Sequence, residues 1–121
     1  MRETGIAFAV ITLFALDMEV GTRERLAACR QEIDSLDQRL VELIQERARV
    51  VQEVGAIKRE AGLPVKDANR EQEVVQKVQG LAKGGPLPAE AVGRIYQKLI
   101  EEMRNWEQKL NDTAASQSSS R

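Results

Sequence analysis

Arg47 stands where a helical seam should carry Leu or Val. Between Arg23 and Glu60 the apolar residues Leu26, Ile33, Leu36, Leu40, Leu43, Val50, Val54 and Ile57 recur mostly in steps of three and four. That is one stripe with a period near 3.5, the pattern of a helix packed along its length on another helix. Arg47 lies on it, between Leu43 and Val50. A guanidinium at such a place is costly unless something anionic faces it. Two partners are open: a protein carboxylate in a buried salt bridge that fixes register, or an anionic ligand held between helices. Lys58 lies eleven residues further on, about 20° past three full turns and about 16 Å along the axis. Two long cationic side chains on one face could grip a small anion from both ends, although a solvated Lys58 is the simpler reading of that residue alone. Arg30 is about 100° round the helix from Arg47, so it suits a pocket on a partner chain better than the same pocket. By pattern alone it is an ordinary exposed arginine.

A second cluster is Asp67, Arg70 and Glu71. Asp67 reads as an N-cap, and the free N–H groups at a helix start favour anions. Glu107 follows Ile100 by seven and Met103 by four, so it borders an apolar face. The rest of the composition narrows the chemistry. The chain of 121 residues has no His and one Cys, which excludes His/Cys zinc sites, Ser-His-Asp triads and an intrachain disulfide. With 18 Lys+Arg against 19 Asp+Glu it lacks the basic excess of a nucleic-acid binder. Arg, Lys, Asp, Glu and amides are left to act.

The elements that position these residues are helices. Aromatic residues make up 3% and charged residues 31% of the chain, a balance that suits long amphipathic helices rather than sheets. The first helix is expected over about Arg23 to Glu60, stopped by Gly62 and Pro64. The second is expected from Ala68 to about Ala82, with Val74, Val75, Val78 and Leu81 on one face. Lys83-Gly84-Gly85-Pro86 breaks it. The third is expected from about Pro88 to Leu110, with Pro88 in its first turn. It carries Val92, Ile95, Tyr96, Leu99, Ile100, Met103, Trp106 and Leu110 on a broad apolar face. The fold class is therefore all-α, with one long helix and two shorter ones. The shorter pair cannot cover every side of the long rod, and small domains bury little of their surface. An entwined helical homodimer is expected.

The domain is expected over 22–110. Residues 111–121 are small and polar and read as a disordered tail. Residues 1–21 form an apolar extension in which Ile6 to Leu16 is too short to span a bilayer, which takes about 20 residues. Three readings are open: a weak signal or anchor, an ordered extension packed on the domain, or sequence upstream of a start at Met18. The third gives a cytoplasmic protein without a membrane partner; the first gives an exported one.

The segment from Leu26 to Leu110 resembles the all-helical class of chorismate mutase. The resemblance is carried by Arg30-Gln31-Glu32-Ile33-Asp34-Ser35-Leu36-Asp37, by Leu43-Ile44-Gln45-Glu46-Arg47, and by Val54-Gly55-Ala56-Ile57-Lys58. It continues through Pro64-Val65-Lys66-Asp67-Ala68-Asn69-Arg70-Glu71 and Ile95-Tyr96-Gln97-Lys98-Leu99-Ile100-Glu101. It implies an entwined dimer with two equivalent sites and conversion of chorismate to prephenate without a cofactor. The site it implies comprises Arg30 from the partner chain, Arg47, Lys58, Asp67, Arg70, Glu71 and Glu107. Arg30, Arg47 and Arg70 would hold the two carboxylates, Glu71 with backbone near Asp67 the ring hydroxyl, and Lys58 with Glu107 the ether oxygen. Many relatives carry Gln where this chain has Glu107, and many carry a polar residue where it has Met103. Rival readings are an isochorismate pyruvate lyase-like enzyme on the same fold and a non-catalytic helical dimerisation or regulatory module.

Overall fold

The computed structural model describes the backbone of residues 2–120 and the side chains of residues 9–120. It is all-α, with three helices among the described residues: α1 (Arg2–Ala61), α2 (Ala68–Leu81) and α3 (Ala89–Ser119). The chain divides into two compact units, Met1–Ile44 and Gln45–Arg121.

The first unit is the N-terminal part of α1. Helix begins well before the expected start near Arg23. Nothing between Gly5 and Gly21 breaks it, and local bonds carry it across the junction. The Thr22 hydroxyl donates to the Met18 carbonyl at 2.8 Å, and Arg23 pairs with Glu19 one turn back at 2.9 Å. In the apolar extension Val10, Ile11, Leu13, Phe14 and Leu16 are each at least half exposed. No helix among the described residues is long and apolar enough to cross a membrane. The seam residues Leu26, Ile33, Leu36, Leu40 and Leu43 follow, between 48% and 57% exposed in the single chain.

The second unit holds the end of α1 together with α2 and α3. Gly62, at φ +69°, ends α1. Its N–H bonds to the Arg59 carbonyl at 3.3 Å, and the Leu63 N–H reaches back to the Lys58 carbonyl at 2.8 Å. This is the Schellman arrangement, which needs a left-handed residue and so favours glycine. The turn buries Val65. Asp67 caps α2 as expected, its carboxylate accepting from the Arg70 N–H at 3.1 Å. Pro88 sits one place earlier than expected, at the N-cap of α3, where its carbonyl accepts from Ala91 and Val92. Val65, Val78, Ile100 and Met103 are the buried apolar residues of this unit.

The tail expected to be disordered is helical through Ser119. Its residues have little to bury, but after Gly93 no Gly or Pro interrupts the chain. The Thr113 and Ser116 hydroxyls bond to the Lys109 and Asp112 carbonyls at 2.9 and 3.0 Å, and Gln108 donates to Asp112 one turn on at 3.0 Å. Asn111 accepts from Arg59 of α1 at 3.1 Å, which ties the start of this stretch to the unit.

The cap at Asp67 is testable. Asp67→Ala should lower unfolding free energy by about 1 kcal/mol, while Asp67→Asn, which can still accept from the helix N–H, should cost far less. Urea melts of the three proteins at one chain concentration check this.

Candidate active site

The end of α1, the α1–α2 turn, α2 and α3 line a half-open cavity of about 310 Å³. Arg47 and Lys58 enter it from α1, Asp67, Arg70 and Glu71 from the start of α2, and Glu107 from α3. Six of the seven expected site residues therefore line one cavity. The seventh, Arg30, is exposed, lies in the first unit and is not among the lining residues. Val50, Val51, Val54, Val74 and Ile100 form the apolar wall.

Each charged group is held differently. Arg47 is half-buried on α1 and makes no ion pair among the described residues. Its guanidinium donates to the Met103 sulfur at 2.8 Å. A thioether is a weak acceptor, so the arginine is steered without its charge being neutralised. The salt-bridge reading of Arg47 thus finds no carboxylate partner here. Lys58 donates to the Val65 carbonyl of the turn at 2.7 Å, which leaves two further ammonium protons. Arg70 pairs with exposed Glu73 at 3.0 Å on the solvent side of α2. Asp67 is both a lining residue and the α2 cap.

Two features escape a reading of the sequence. Arg104 lines the same cavity and forms an ion pair with Glu71, each side chain 25% exposed. The two are 33 residues apart, and no periodicity links them. Met103, not expected as a polar contact, is the acceptor for Arg47.

Glu107 is the buried charged residue of the unit, at 5% exposure. Its Oε1 has no hydrogen-bond partner. Burial pushes its carboxyl above the usual carboxylate range; Lys58 opposes that shift and Glu71 adds to it. A protonated Glu107 can donate a hydrogen bond, and an ionised one can only accept. The site thus combines guanidinium and ammonium groups that suit anions, an acceptor at Glu71, and one carboxyl raised by burial.

The family model for chorismate mutase type II matches residues 29–108. The bifunctional chorismate mutase/prephenate dehydratase of Aquifex aeolicus is 37% identical over 90 residues, which are 72% of this chain and 25% of that protein. The chorismate mutase of Methanocaldococcus jannaschii is 33% identical over 78 residues, 64% of this chain and 79% of that one. A chorismate mutase structure from Thermus thermophilus superimposes with a TM-score of 0.66 at 31% identity, over 69% of this chain and 94% of that chain. The chain spans about a quarter of the length of the bifunctional Aquifex relative and about a fifth of that from Escherichia coli (strain K12). The chain belongs to the chorismate mutase type II family.

The raised Glu107 carboxyl has a consequence for stability. A group that holds its proton more tightly when folded contributes most below its ordinary value and loses that contribution as pH rises through the folded value. Glu107→Gln should therefore be more stable than the wild type at neutral pH. The gap should close as pH falls toward the ordinary carboxylate range, as read from urea midpoints across that range.

Proposed function

We propose that this protein converts chorismate to prephenate by a Claisen rearrangement, within aromatic amino-acid biosynthesis. The observation that carries the reading is the gathering of Arg47, Lys58 and Arg70 with Glu71 and Glu107 around one cavity. The reaction is pericyclic: one ether C–O bond breaks as one C–C bond forms, and no proton is transferred. It asks the protein for two things. The substrate must be held in a compact, chair-like conformer, which is a matter of orientation. The negative charge growing on the ether oxygen must meet donors already in place.

In this reading Arg47 and Arg70 bind carboxylates through their planar guanidinium forks. Glu71, oriented by Arg104, accepts from the ring hydroxyl beside Asp67. Lys58 donates to the ether oxygen from α1, and Glu107 donates to it from α3 while protonated. The cationic lining, with Arg47 free of any protein carboxylate, favours this reading over a helical dimerisation module.

We further propose an entwined homodimer in which Arg30 completes the partner's site. The exposed seam of α1, from Leu26 to Ile57, supports it: these residues are 40% to 62% exposed in a single chain. As a step of amino-acid biosynthesis, the proposed reaction belongs to the cytoplasm.

Loss of chorismate absorbance on the purified chain, with isochorismate run in parallel, tests the reaction; turnover of isochorismate alone would replace it with the lyase. Arg47→Ala should lower kcat/KM by a hundredfold or more, on the order of the loss of an oxyanion donor, with little change in melting temperature. Mixing inactive Arg30→Ala and Arg47→Ala subunits under exchange should restore part of the activity, because one site of each heterodimer is then intact. No recovery after demonstrated exchange would rule out a shared site. With Glu107 as donor, kcat/KM should fall as pH rises, and Glu107→Gln should flatten that alkaline limb.

A further inference from the structure

Gly55 lies in the interior of α1, where glycine is the least favourable residue after proline. It is buried, yet it does not line the cavity. What occupies the space beside it is Glu107. A Cβ placed on Gly55 would lie 3.0 Å from Glu107 Cγ, 3.1 Å from Oε1 and 3.4 Å from Cδ. Ordinary carbon contacts begin near 3.5 Å, so a single methyl group there requires the carboxyl to give by a few tenths of an ångström. Its Oε1 is buried without a hydrogen-bond partner, so packing on the bare backbone at Gly55 and the charge of Lys58 set its direction.

We propose that Gly55 is a positioning residue for Glu107: the missing side chain at this one place on α1 is the seat that lets the α3 carboxyl lie against the helix and face the cavity. The proposal rests on the reading of Glu107 as a donor to the substrate. Gly55 touches neither substrate nor reacting atoms and acts only through that carboxyl. The charged groups that line the cavity with Glu107 are Arg47 and Lys58 on α1, Asp67 in the turn, Arg70 and Glu71 on α2, and Arg104 on α3. Lys58 is the next cavity-lining residue along α1 after the seat, so a carboxyl displaced from Gly55 also changes its distance from the ammonium. Gly93 shows the same use of a missing Cβ elsewhere in the unit: its bare backbone on α3 receives the Gln79 side chain from α2.

A double-mutant cycle on the full chain tests this. Gly55→Ala should lower kcat/KM for chorismate about tenfold to a hundredfold, the scale expected when a working group is misplaced by an ångström or less. In a Glu107→Ala background the same change should have no further effect. An equal fold-loss in both backgrounds, or unchanged activity in Gly55→Ala, would overturn the proposal. A readout independent of turnover is the titration of the Glu107 carboxyl followed by carbon NMR. Gly55→Ala should move it toward the ordinary carboxylate value as the group leaves its buried seat; identical titrations in both proteins would overturn the proposal. Should the wild type fail to turn over chorismate, the functional reading falls, and the carboxyl titration still decides the seat. If Gly55→Ala does not fold, Gly55→Ala with Glu107→Ala should, because the atoms the methyl meets first are gone; a double variant that stays unfolded would overturn the proposal.

Discussion

Long polar side chains tie α3 to the end of α1, and the rest of the site depends on that. Arg47 reaches Met103, Arg59 reaches Asn111, and Glu107 lies on Gly55. Short apolar contacts would draw the helices together and fill the space between them. The long side chains hold them apart and leave a cavity of about 310 Å³ with charged groups on its walls. A protein interior of this size is ordinarily packed close to crystal density. Here the open volume is the functional object, and Val65, Val78, Ile100 and Met103 are the buried apolar residues that support it.

The charges divide by what they are given to do. Arg104 is matched by Glu71, a pair that bridges α3 and α2, and Arg70 by Glu73 within α2. Arg47 and Lys58 are not matched by carboxylates. A sulfur and a carbonyl oxygen hold them, and neither cancels a positive charge. Glu107 is the counterpart on the opposite wall, a buried carboxyl biased toward its neutral form. Such an arrangement costs stability in an empty site, because a desolvated charge without a partner is unfavourable. The dianionic substrate of the proposed reaction would offset that cost on binding.

Local signals made much of this legible in the sequence. The helical period of α1 shows in its spacing, the turn at Gly62 and Pro64 in its residue types, and the α2 cap in Asp67. Arg47 stands out because it interrupts an apolar stripe, and Lys58 because it shares that face. The helix limits misled where no breaker marked them: α1 reaches back to Arg2 and α3 runs on to Ser119, because the expectation followed apolar content while the backbone followed the absence of Gly and Pro. Tertiary pairings left no trace in the pattern. Nothing in the spacing of Glu71 and Arg104, or of Gly55 and Glu107, announces that they meet, since each contact depends on how separate helices come together.

The Lys58 contacts bind the turn and the site into one unit. Its backbone carbonyl receives the Leu63 N–H, and its ammonium holds the Val65 carbonyl. A single residue thus fastens the same short turn at two points, one of them with the group that faces the cavity. Opening of the turn and withdrawal of the ammonium are then one event, not two. The exchange rate of the Leu63 amide with solvent becomes a clock for the site, slowing with any ligand that holds Lys58 in place and quickening when the ammonium is drawn elsewhere.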